Sequence, residues 1–98
     1  MARPKRPRPR DLTNSWPDEV SPDISGEVAR QLANNLRRAL DGRALRVAKD
    51  LTGVDHTTIG DVLAGFTSPD LMTIARLESG LGTDLWPGGL AIDLGLRR

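Results

Sequence analysis

The chain has no cysteine, a single histidine and no apolar run near the roughly 20 residues that cross a bilayer. Without thiols there are no disulfides, thiolate metal sites or cysteine nucleophiles, and a reducing, cytoplasmic setting is the expectation. His56 has no cluster of zinc ligands around it, and Asp55 is its neighbour in sequence rather than a group across a pocket. No Gly-rich phosphate cradle is present either. Enzyme activity, a metal, a cofactor and a small-molecule substrate are therefore not expected. The N-terminus lacks the apolar stretch of a secretory signal, and its prolines disfavour an amphipathic presequence, so neither export nor membrane insertion is expected.

At 98 residues, 38% of them hydrophobic, the chain can enclose one small core. Its net charge of +1 combines two unlike parts. Residues 1–10 hold Arg3, Lys5, Arg6, Arg8 and Arg10 and no acid, which leaves −4 for everything else. Prolines at positions 4, 7 and 9 alternate with these cations, so an extended, disordered arm is expected. Such a strand can track phosphates or enter a narrow minor groove; its plainer role is a solubilising tail. Residues 11–25 add Asp11, Asp18, Glu19 and Asp23 beside Pro17 and Pro22 and read as an acidic linker. The whole of 1–25 is thus expected to lie outside the folded domain, with the placing of Trp16 left open.

Residues 27–41 set Val28, Ala29, Leu32, Ala33, Leu36, Ala39 and Leu40 at helical spacing, with Gly42 to end the helix and Ser21 or Ser25 to cap it. The stretch 42–65 holds two short periodic segments. Ala44, Val47, Ala48 and Leu51 share one helix face, and Ile59, Val62 and Leu63 share another. Between them Thr52 and Gly53 are poor helix residues and Asp55 suits the cap of a new helix, so the chain is expected to stop, turn and restart as a helix-turn-helix. Ser68, Pro69 and Asp70 form the next helix start, followed by Leu71, Ile74, Ala75, Leu77, Glu78 and Leu81, with Gly80 and Gly82 ending it. Thr83 caps an expected last turn that buries Leu85 and Trp86 before Pro87. The expected fold class is all-α, five helices over residues 26–87.

The turn residue Gly53, Val54 after it, the polar run from Asp55 to Thr58, then Ile59, and Gly65 ahead of a Pro-started helix together resemble the DNA-binding domain of the phage-repressor, Cro-like (XRE) helix-turn-helix family. The resemblance spans roughly residues 27–86. It implies a sequence-specific transcriptional regulator whose second motif helix, about 55–64, enters the major groove of double-stranded DNA. It implies base contacts from His56 and Thr57, with Gly60 allowing close approach and Asp61 able to accept from cytosine. Backbone contacts are implied for Arg46 at the start of the motif's first helix, for Thr58, Thr67 and Ser68, and for Arg37. The chain departs from the family where Lys49 falls at a small-residue slot, unless Ala48 takes it, and where Asp61 and Leu63 replace a frequent base and acid.

Leu90, Ile92, Leu94 and Leu96 alternate with strand periodicity. A lone strand needs a partner for its backbone groups, most simply the same segment of a second copy, so residues 88–98 are expected to serve a homodimer; otherwise they form an apolar tail lying on the domain. The rival function is a helical protein-interaction module of the same fold, motivated by the acidic domain and Asp61.

Overall fold

A computed structural model describes residues 6–89. Their secondary structure is helical throughout: a single 3-10 turn, Pro9–Leu12, then α1 (Ile24–Leu40), α2 (Leu45–Thr52), α3 (His56–Ala64) and α4 (Leu71–Leu81). No helix among the described residues is long and apolar enough to cross a membrane.

Helix α1 begins earlier than its apolar spacing suggests, because the cap is Asp23 and neither serine: the Asp23 carboxylate accepts from the Gly26 backbone N–H at 2.9 Å. Its inner stripe, Leu32, Ala33, Leu36 and Leu40, is buried. Helix α2 buries Ala48 and Thr52 and leaves Val47 and Leu51 41% and 45% exposed, although both lie within the expected apolar face. Ala48 is fully buried in the core, and Lys49 stays in solvent. Gly53 (φ 73°) ends α2 in the left-handed region. The Thr52 hydroxyl donates to the Ala48 carbonyl and accepts from the Val54 N–H, so Val54 enters the core directly after the turn. Asp55 then caps α3 through the Thr57 N–H at 3.0 Å.

Helix α4 is capped by Asp70, not Ser68, and directs Ile74 and Leu77 inward while Leu71 stays 81% exposed. Gly82 (φ 68°) caps the end of α4 as expected, and Gly80 lies in its last turn. A Cβ there would fall 2.6 Å from Thr52 Cα, so α4 meets the C-terminal end of α2 backbone to backbone. The expected fifth helical turn is absent. The Glu78 carboxylate accepts from the Leu85 and Trp86 N–H groups at 2.7 and 3.0 Å, which takes up the donors and holds residues 83–86 non-helical. Leu85 is fully buried, whereas Trp86, expected in the core, is 51% exposed.

The main correction concerns residues 8–23, which pack on the domain instead of forming a free arm and linker. Prolines exclude regular structure but not burial, and Pro9 is buried. Glu27 and Arg30 are 3% and 8% exposed, joined by two hydrogen bonds of 2.8 Å. Glu27 also accepts from the Ser21 N–H and the Gln31 amide, and Arg30 and Asn34 both donate to the Pro17 carbonyl. A buried ion pair needs its remaining polar capacity filled, and the N-terminal segment supplies part of it. The Arg30 hydrogen bond, with those from Gln31 and Ser21, overcomes burial and holds the Glu27 carboxyl at about 2, below its ordinary 4.5.

Candidate nucleic-acid interface

Helix α3 is anchored at its C-terminal end and open at the other. Trp16 Nε1 donates to the Leu63 carbonyl at 2.9 Å, and Arg37 donates to the same oxygen at 3.2 Å. Arg10 bonds the Ala64 carbonyl through its guanidinium and the Gly65 carbonyl through its backbone N–H, at 3.2 and 3.0 Å. The last carbonyls of a helix lack internal partners and carry its negative end, so an indole and two guanidiniums satisfy and stabilise it. Gly65 (φ 73°) lies on the Trp16 ring, where a Cβ would come within 2.7 Å of Trp16 Cδ2. Residue 65 therefore needs glycine for both space and conformation.

At the N-terminal end, His56 and Thr57 are exposed and Thr58 is half-buried. Asp55 lies 3.7 Å from His56 Nδ1 and 3.9 Å from Lys49 Nζ. The Thr57 backbone hydrogen bond holds the Asp55 carboxyl below its ordinary range. An anionic cap already occupies the positive end of α3, and the exposed side chains of its first turn, His56 and Thr57, project from it into solvent. Gly60 faces α2 instead of the open side: a Cβ would meet Leu45 Cδ1 at 3.5 Å, an ordinary contact. The expected role of Gly60 in close groove approach has no geometric basis here, and Asp61, beside it, is half-buried.

The start of α2 differs. Asp23, Asp55 and Asp70 cap the other three helices, whereas Ala44 leaves α2 without a side-chain cap. Arg46 is exposed in that first turn, and Arg43 is exposed just ahead of it. Arg43 was readable from its place before the helix start and belongs with Arg46 as a cation at this end. Thr67 and Ser68 are exposed in the loop after α3, where Arg8 and Arg10 lie 5.4 and 5.0 Å from the Phe66 ring centre. The Phe66 contact had no signal in the sequence, since nothing local brings residue 8 or 10 to residue 66.

Three expected phosphate ligands are engaged within the fold. Arg37 holds Leu63 and Asn34, Arg10 holds the Ala64 carbonyl, and Arg8 forms paired bonds of 2.9 and 3.0 Å with Asp11. Arg6 is exposed. Arg3 and Lys5 of the arm, and Leu90, Ile92, Leu94 and Leu96 of the tail, lie outside the described residues. Among the described residues no group of acidic or histidine side chains is arranged to hold a metal ion. Comparison with protein-family models, curated proteins and solved structures found no match.

Proposed function

We propose that the chain is a sequence-specific DNA-binding transcriptional regulator of the XRE helix-turn-helix kind, working in the cytoplasm as a homodimer on double-stranded DNA. The observation that carries this reading is the exposure of His56 and Thr57 on the first turn of α3, a helix fixed at its other end by Trp16, Arg10 and Arg37. A reading helix must be rigid and must project its N-terminal side chains, because base edges are discriminated by placement within hydrogen-bond tolerance. Exposed polar groups for the backbone stand on two other elements. Arg43 and Arg46 stand at the uncapped start of α2, and Thr67 and Ser68 stand in the loop after α3. These groups position the domain on phosphates, while His56 and Thr57 distinguish sequence.

A second copy belongs to the reading, because one short helix contacts few base pairs and tight specific binding needs a neighbouring half-site. The rival, a protein-interaction module, draws on Leu71 and Met72, 81% and 58% exposed at the start of α4. Selection from random duplex DNA followed by footprinting separates the two. A regulator enriches one sequence with two protected half-sites about one helical turn, roughly 34 Å, apart. Failure to enrich any sequence favours the interaction module.

A further inference from the structure

Arg8 and Arg10 both lie over the Phe66 ring, their guanidinium carbons 5.4 and 5.0 Å from its centre, but they are held by different partners. Arg10 donates to the Ala64 carbonyl, an acceptor at the end of α3. Arg8 donates through Nε and Nη2 to the two carboxylate oxygens of Asp11 at 2.9 and 3.0 Å, and these side chains are 52% and 46% exposed. The first contact closes a helix, and the second closes none. We propose that Asp11 withholds Arg8 from the phosphodiester backbone of a nucleic acid, as a brake on sequence-independent binding built into the chain. This rests on the reading of the loop after α3 as a segment that faces phosphates.

Place, chemistry and energetics support it separately. Phe66 brings Arg8 to the loop whose next residues, Thr67 and Ser68, are exposed and serve as backbone contacts in the proposed complex. A guanidinium that grips a carboxylate through two parallel bonds offers the same fork that grips a phosphate, so Asp11 occupies donors that a phosphodiester would take. The Arg8 hydrogen bond also holds the Asp11 carboxyl below its ordinary range, so this competitor is fully charged at neutral pH. Folding does not account for the contact. An exposed ion pair adds little to stability, and the turn Pro9–Leu12 is closed by the Asp11 N–H on the Arg8 carbonyl at 2.9 Å, not by the two side chains. Among the described residues the Asp11 carboxylate bonds to Arg8 alone, so its charge can be removed without loosening the domain.

Binding of the full chain to a random-sequence DNA duplex, measured from about 50 to about 200 mM salt, tests the proposal. Asp11→Asn keeps the shape of the side chain and removes its charge, so the released Arg8 should steepen the slope of log affinity against log salt by about 0.9. The gain over the parent should then be roughly threefold larger at the low end of that range than at the high end. Arg8→Ala completes the cycle: in its background, Asp11→Asn should leave the slope as it is. The same steepening in both backgrounds would make Asp11 a general repulsive charge and overturn the proposal. A variant that binds like the parent, or a parent and variant that both fail to bind the duplex, would overturn it as well. Since the probe contains no selected site, a failure to enrich any preferred sequence counts against the regulator reading and leaves this result standing.

Discussion

Gly60 and Gly80 both sit inside helices, and their surroundings differ in a way that no local pattern reveals. At Gly60 a Cβ has ordinary contact with Leu45 Cδ1, so Gly60→Ala should gain about 1 kcal/mol from helix propensity and leave DNA affinity unchanged. At Gly80 a Cβ would press on the backbone of Thr52, so Gly80→Ala should lose about 2 kcal/mol or more despite the same propensity gain. Urea denaturation of both variants measures the contrast; equal effects would refute the close approach of α4 to α2. Glu27 is a second case. Its carboxyl, held at about 2 against an ordinary 4.5, adds stability that is fully present above about pH 4.5 and disappears as pH falls through about 2. The shift corresponds to roughly 3 kcal/mol. Glu27→Gln should flatten acid unfolding over that window and, by leaving Arg30 buried without its anion, cost about 3–5 kcal/mol at neutral pH. Nothing in the sequence singles out Glu27 and Arg30, because the groups that complete their hydrogen bonds come from residues 17 and 21.

At the scale of elements, α1 to α4 were legible because each depends on nearby residues: apolar positions at a spacing of three or four, and a glycine at or just after the last turn. The start, turn and restart around Gly53 and Asp55 were legible for the same reason. The failures arose where a distant group decides local structure. Glu78 holds residues 83–86 non-helical, and α1 holds residues 8–23 against the domain. The anchoring of α3 is equally non-local, since Trp16 reaches Leu63 across 47 residues of sequence. Trp16→Ala removes that bond and the ring beneath Gly65, and should cost about 2–4 kcal/mol. The loss should begin locally: amide exchange at the C-terminal end of α3 should quicken before exchange in α1 does. Uniform acceleration along all four helices would show that Trp16 supports the whole domain and not this helix end.

For the whole molecule, five cations in the first ten residues against −4 elsewhere place the attraction for any polyanion, and for DNA in the proposed complex, in the N-terminal segment. The packing divides those cations. Arg8 is neutralised by Asp11 and Arg10 closes α3, which leaves Arg3, Lys5 and Arg6 for phosphates in the proposed complex. Removing residues 2–6 spares the buried Pro9, and should lower the slope of log affinity against log salt by up to about 3 per protomer on all sequences alike. An unchanged slope would make those residues bystanders. The central claim is that α3 reads base edges through His56 and Thr57, and affinity on two DNAs tests it most directly. His56→Ala and Thr57→Ala should each lose roughly 1–3 kcal/mol on the selected site and almost nothing on random duplex. Variants that bind the selected site as tightly as the parent, or that weaken equally on both DNAs, would contradict it.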